Sequence, residues 1–239
     1  MINRLYLDIE TSPNVGYFWR PGYKISLTSA NIIKERAIIC ASYKWEHEKT
    51  VKTLTWDRRQ DDRILCKKIA KVIESADEVV AHNGGRFDIA WIRGRCLKHG
   101  VPFPPTITIQ DTLTLSRRYF NLNEHRLDYI AKHLGIGKKI KTDFDLWKDV
   151  MQGDQTALDD MVEYCEMDVR LLEEVFHRMM PYIPAKSHYS GDRGECPECG
   201  SGNMKISRYR MTAAGHQRVQ MVCGDCGKYH TVPASQVDA

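Results

Sequence analysis

The sequence predicts an α/β protein, a mixed sheet flanked by helices, followed by a small C-terminal β module held together by paired cysteines. Three observations lead there. Apolar segments of strand length come first in succession and then alternate with segments whose apolar residues recur at helical spacing, the pattern of a sheet covered by helices. The 239 residues are 42% hydrophobic, 28% charged and 9% aromatic, a composition that excludes a disordered or fibrous chain. Four of the eight cysteines form two C-x-x-C pairs near the C-terminus, Cys196 with Cys199 and Cys223 with Cys226.

Each element has its own justification. Residues 4–9 are a mostly apolar run of strand length, 36–43 (RAIICASY) a second, and 49–56 (KTVKTLTW) alternates like a half-buried third. Between 61 and 75, Ile64, Leu65, Ile69, Val72 and Ile73 fall at helical spacing, and Glu78–Ala81 (EVVA) returns to strand. Residues 87–99 read as a helix ending at Gly100, 106–110 as a weak strand after a Pro-rich loop, 126–134 as a helix stopped by Gly135, and 157–180 as a long helix halted by Pro181. The composition then shifts: IPAKSHYSGDRGE (183–195) has no periodic apolar set and reads as a linker. The expected organisation is therefore a domain over 1–185, a linker over 186–194 and a module over 195–239, with hairpin strands at 204–211 and 217–222.

Lys plus Arg number 35 and Asp plus Glu 31, a net charge of +4 that permits nucleic-acid binding without demonstrating it. No apolar run approaches the ~20 residues of a membrane span, and the opening strand leaves no room for a signal peptide, so the expectation is a cytoplasmic protein without membrane contact. In a reducing cytosol the isolated Cys40, Cys66, Cys96 and Cys165 read as small buried hydrophobes.

Three local signals carry chemistry. Asp8-Ile9-Glu10 closes the first strand; because side chains alternate, Asp8 and Glu10 share one face while Leu7 and Ile9 take the other. The strand is apolar enough to be central, where unpaired carboxylates are costly, so the pair suggests a site. His82-Asn83-Gly84-Gly85-Arg86-Phe87-Asp88 follows the strand at 78–81; its glycines permit a sharp turn that sets Asp88 at the next helix start, beside the crevice at the strand's C-terminal end. In the late helix, Tyr164 and Asp168 are four apart and share a face. Singly, each signal has a bland alternative: an exposed acidic strand, a helix-N-terminal Asp, an incidental Tyr-x-x-x-Asp. The neighbouring Asp159, Asp160, Glu163, Glu173 and Glu174 read as a solvated face.

Together and in this order, the signals resemble the DEDD superfamily of 3′–5′ exonucleases, which has a ribonuclease H-like fold. Tyr164 marks the tyrosine (DEDDy) branch; Glu163 stands where the histidine branch carries its His. Leu7 to Asn14, Asp111-Thr112-Leu113, Arg126 to Ala131 and Leu134 to Lys139 look most like relatives of the B-family polymerase proofreading domain, including stand-alone phage and bacterial exonucleases. The resemblance covers roughly residues 3–180. It implies that Asp8, Glu10, Asp88 and Asp168 hold two Mg²⁺ or Mn²⁺ ions, that Tyr164 orients the attacking water, and that Thr11, Asn83 and Phe87 meet the terminal nucleotide. Two such ions activate water and neutralise the leaving oxygen; without them, converging carboxylates raise one another's pKa values. No polymerase domain is expected in a chain of this length, so proofreading would act in trans, with a replication or repair protein as partner and, for a phage protein, in the host cytoplasm. Single-stranded DNA is the favoured substrate, with RNA also open. Tyr17 to Lys24, Arg117-Arg118, and Lys138, Lys139 and Lys141 are candidates for further nucleic-acid contact, against the alternatives of half-buried aromatics on an insertion and solvated charge runs.

The cysteine pairs, C-x2-C twice across a 23-residue gap, make a four-cysteine zinc site, and the hairpin between them resembles a zinc ribbon. With every position filled by a thiolate the ion is structural. Lys205, Arg208, Tyr209, Arg210, Arg218, Lys228, Tyr229 and His230 suit nucleic-acid contact, and protein docking is the alternative. The sequence thus predicts a metal-dependent 3′–5′ exonuclease; a structure-selective endonuclease and a non-catalytic nucleic-acid-binding adaptor are the competing readings.

Overall fold

The computed structural model describes residues 2–20, 22, 27–137, 142–185 and 194–237. Along the chain come β1 (Arg4–Thr11), β2 (Val15–Gly16), β3 (Ile32–Lys34), β4 (Ile38–Trp45), β5 (Lys52–Thr55), α1 (Arg63–Glu74), β6 (Glu78–Ala81), α2 (Asp88–His99), β7 (Ile109–Asp111) and α3 (Thr112–Tyr119). They are followed by α4 (Leu127–His133), α5 (Phe144–Gln152), α6 (Gln155–Met179), β8 (Met204–Met211), β9 (Gln217–Cys223) and β10 (Tyr229–Pro233).

The apolar first strand sits at the centre. A five-stranded sheet runs β5-β4-β1-β6-β7, antiparallel from β5 to β1 and parallel from β1 to β7, so the mixed sheet predicted from sequence is present. The alternation of β1 separates two cores. Leu5, Leu7 and Ile9 pack with Leu65, Ile69 and Ile73 of α1 and Ile89 and Ile92 of α2. Tyr6 turns the other way, onto a cluster with Leu172, Val175 and Phe176 of α6. The buried residues Ala157, Met161, Cys165, Asp168, Leu172, Val175 and Met179 make one stripe down α6, at the spacing of a helix face laid against a sheet.

Some elements exceed the expectation. The short β2/β3 pair, α3, α5 and β10 are not among the expected elements; β2 is too short to show a period. α5 had readable ends, because the Asp143 side chain accepts from the Asp145 and Leu146 amides and Gly153 closes the helix at φ 88°. Glu173 is not simply solvated: it pairs with the buried Lys44, joining α6 to β4. Pro21, Tyr23, Lys24, Lys138, Lys139, Lys141 and linker residues 186–193 lie outside the described residues.

β8, β9 and β10 form a second sheet, ordered β10-β9-β8, over a small cluster of Val219, Met221 and Val232. It meets the rest of the chain through charge. Glu198 takes a hydrogen bond from Arg4 Nη2 at 2.5 Å, and the buried Lys228 donates to the Met180 carbonyl at 3.2 Å. Lys228 is thus engaged inside the chain and is not the exposed nucleic-acid contact its sequence position suggested.

Candidate active site

Three of the predicted carboxylates converge. Asp8 and Glu10 on β1 and Asp168 on α6 each present an oxygen, all lying within 4.8 Å of one another. The geometry follows from the two periodicities. Asp8 and Glu10 share the β1 face turned toward α6, and Asp168 occupies a position of the α6 stripe otherwise filled by apolar side chains. Between Glu10 and Thr11 the β1–β4 register shifts, bending the strand where the acids end.

Asp88 approaches from the α2 side. It is 1% exposed, and its Oδ1 accepts from the Ile9 amide, which lies between Asp8 and Glu10 in sequence, at 3.1 Å. Burial, then the charges of Asp8 and Glu10, push its pKa well above the carboxylate range; the amide bonds oppose this without prevailing. Burial, Cys40 and the same two acids raise the Cys165 thiol, whose Sγ lies 3.5 Å from Asp8 Oδ2. Concentrated negative charge in a low-dielectric crevice, presented only by hard oxygen donors, fits divalent cations of the Mg²⁺ or Mn²⁺ type.

The turn carrying Asp88 is tightly specified. Asn83 takes φ 69°, and its amide donates to Asp111 Oδ1 at 3.0 Å. That same oxygen caps α3 by accepting from the Leu113 and Thr114 amides. A Cβ at position 84 would stand 2.3 Å from Ala81 Cβ, so only glycine fits. Phe87 is half-buried in the α1/α2 core and meets Trp91 edge-on, ring centroids 6.4 Å apart.

Tyr164 lies one turn before Asp168, half-buried, its ring 6.3 Å from that of Trp147 in an edge contact. Trp147 Nε1 donates to the Thr11 carbonyl at 3.2 Å, tying α5 to the end of β1. Sequence reasoning passed over Trp147, although the capped, amphipathic α5 was a usable signal. It also passed over Arg36, which donates to the Thr11 hydroxyl at 2.6 Å and stacks over the Trp91 ring at 4.5 Å. The hydroxyl of the largely buried Thr11 is therefore already an acceptor for Arg36. Tyr17, Phe18 and Trp19 are exposed.

The second metal-type cluster is Cys196, Cys199, Cys223 and Cys226. Four sulfurs about 2.3 Å from a tetrahedral centre stand about 3.8 Å apart; Cys196–Cys226 and Cys199–Cys223 Sγ separations are 3.6 and 3.7 Å. The Glu198 and Asp225 amides each point at a cysteine sulfur at 3.4 Å. Gly200 and Gly227, each directly after the second cysteine of a pair, have φ 72° and 73°, which is what a glycine there permits. This donor set fits one closed metal site.

A family profile described as the RNase_H superfamily matches residues 32–180. Among solved structures, the chain resembles the family B DNA polymerase of the hyperthermophilic archaeon Pyrobaculum calidifontis, with TM-score 0.59 and 16% identity over 76% of this chain. The match spans 25% of the polymerase chain, so the likeness concerns one part of that protein and its fold. No curated protein sequence matches. Among the described residues, no helix is long and apolar enough to cross a membrane.

Proposed function

Because the chain belongs to the RNase_H superfamily, we propose that it is a metal-dependent 3′–5′ exonuclease of the tyrosine-bearing DEDD branch, removing nucleotides from single-stranded DNA. The observation that carries this reading is the convergence of Asp8, Glu10 and Asp168 within 4.8 Å, with the buried Asp88 under the field of the first two. In this reading the four carboxylates hold two divalent ions, Mg²⁺ or Mn²⁺, and the four cysteines one structural Zn²⁺. The active-site ions supply neutralisation of the scissile phosphate and activation of the attacking water.

The residues do the rest. Tyr164, braced by Trp147, hydrogen-bonds and aims the water, a positioning role. By the same resemblance Asn83 and Phe87, on the turn that carries Asp88, meet the terminal nucleotide. Thr11 contributes through the backbone and through Arg36, which holds its hydroxyl. The direction of attack and the preference for DNA rest on the resemblance of the motifs.

The test uses the purified full chain with Mg²⁺ or Mn²⁺ and 3′- or 5′-labelled single-stranded oligonucleotides. Stepwise release of mononucleotides from the 3′ end is expected, with Asp8→Ala and Asp168→Ala each losing at least 10³-fold in rate. A single internal cut would make the chain an endonuclease, and binding without cleavage an adaptor; either result removes the exonuclease reading, as does undiminished activity of Asp8→Ala.

A further inference from the structure

The C-terminal sheet gathers its outward cations on one face. Residues directly opposite in an antiparallel ladder project to the same side. The register sets Lys205 against Val222, Arg208 against Gln220 and Arg210 against Arg218, while on the far strand Tyr229 opposes Val222 and Thr231 opposes Gln220. Arg208 Nε donates to Gln220 Oε1 at 2.6 Å, which fixes that side for the row. The other face holds Val219, Met221 and Val232, the small core of this sheet.

Three features separate this face from an ordinary solvated surface. From Met204 to Val222 the sequence contains no Asp or Glu. Arg210 and Arg218 stand directly opposite each other, an arrangement of like charges that costs a sheet stability and that a bound anion would offset. Along β10 the face runs into a groove of about 750 Å³ lined by Tyr229, Thr231, Gln220, Tyr182 and Pro184. Tyr182 and Tyr229 are 75% and 43% exposed, so rings for stacking adjoin cations for phosphates.

The sheet meets the chain at the Arg4 end of β1, through Glu198, whereas Asp8 and Glu10 lie toward the other end. Arg4 and Glu10 are six residue steps apart along the strand, roughly 20 Å. We propose that this face binds single-stranded nucleic acid away from the cleavage point, phosphates over Lys205, Arg208, Arg210 and Arg218 and bases against Tyr229 and Tyr182; naming the bound strand as the substrate rests on the nuclease reading.

The experiment measures fluorescence anisotropy of labelled dT20 with the purified full chain, without added divalent metal, across a salt series. It compares the unaltered chain with the triple variants Arg208→Gln/Arg210→Gln/Arg218→Gln and Arg208→Lys/Arg210→Lys/Arg218→Lys, each first shown to melt like the parent. At about 0.7 counterions per phosphate on a single strand, the glutamine variant loses about 2 from the slope of log K against log salt and weakens at least ten-fold at low salt, while the lysine variant keeps its slope. An unchanged slope and affinity in the glutamine variant overturns the proposal, and so does an equal loss in the lysine variant. The two readings separate cleanly: binding that depends on these arginines in a chain that never cleaves removes the nuclease reading and leaves this one, whereas cleavage with unaltered binding in the glutamine variant does the reverse.

Discussion

At the scale of single residues, what matters is where a group is held. Tyr164 is fixed between Trp147 and the Asp168 turn, so replacing it with Phe removes one hydroxyl and little packing. Tyr164→Phe is expected to lower kcat 10- to 100-fold with KM within about two-fold, since a water-orienting hydrogen bond acts on the chemical step; single-turnover rates with labelled oligonucleotide check this. A second residue-scale effect lies far from the carboxylates. Tyr6 Oη and His177 Nε2 both contact Glu46, at 2.5 and 2.9 Å. Burial opposes ionisation of Glu46, but the hydrogen bonds from His177 and Tyr6 outweigh it and hold its pKa at about 2. The Glu46 bond lifts His177 above its ordinary value against the pull of burial. A lowered acid stabilises above its unfolded pKa and fails as pH falls toward 2; a raised histidine stabilises below about 6.5 and fails as pH climbs through its folded value. The pair therefore stabilises most between about pH 5 and 6.5. Urea titrations at pH 2, 5.5 and 8.5 should show Glu46→Gln losing most of its deficit at pH 2, where the unaltered chain has lost the same contribution.

At the scale of elements, the turn between β6 and α2 sets where Asp88 stands relative to Asp8 and Glu10. Gly84→Ala drives a methyl into Ala81 on the preceding strand, where neither backbone can retreat. The variant should lose about 1–3 kcal/mol and lower activity more than stability alone explains, because the displaced turn carries Asp88. Calorimetry beside nuclease assays tests both halves. This turn also shows what the sequence made legible. Asp8 and Glu10 on one strand face, Asp88 after a glycine pair and Tyr164 four before Asp168 are local spacings, and strand and helix periods convert them directly into direction. Arg36 was not legible, and Trp147 was legible only as part of a capped amphipathic helix, because each acts through a contact with Thr11 from a distant part of the chain that no local period encodes. Lys228 was misread for a related reason. A lysine beside a cysteine knuckle looks exposed until the fold buries it between Glu198 and the Met180 carbonyl.

At the scale of the whole molecule, the buried Arg4 joins the two sheets. Its guanidinium meets the fully buried Glu78 through Nε and Glu198 through Nη2, each at 2.5 Å, and burial, which works against the charge, is outweighed by these two acids. Removing one partner of a buried ion pair is far more damaging than never having built it. Arg4→Ala should therefore cost about 3–5 kcal/mol, and so should Glu198→Gln, which spares the Glu78 contact but removes the acid facing both Arg4 and the buried Lys228. Glu198 lies between Cys196 and Cys199, and its amide is directed at Cys196 Sγ, so its place beside Arg4 depends on the cysteine knuckle keeping its shape. All five tryptophans precede residue 150, so their fluorescence reports unfolding around the five-stranded sheet and not of the cysteine module. Stripping the metal proposed at the four cysteines with a chelator should lower that tryptophan-reported melting temperature by a few degrees in the unaltered chain and leave it unmoved in Glu198→Gln, whose Arg4 contact is already weakened. Equal shifts in both chains would mean that the metal stabilises the sheet by a route other than Arg4.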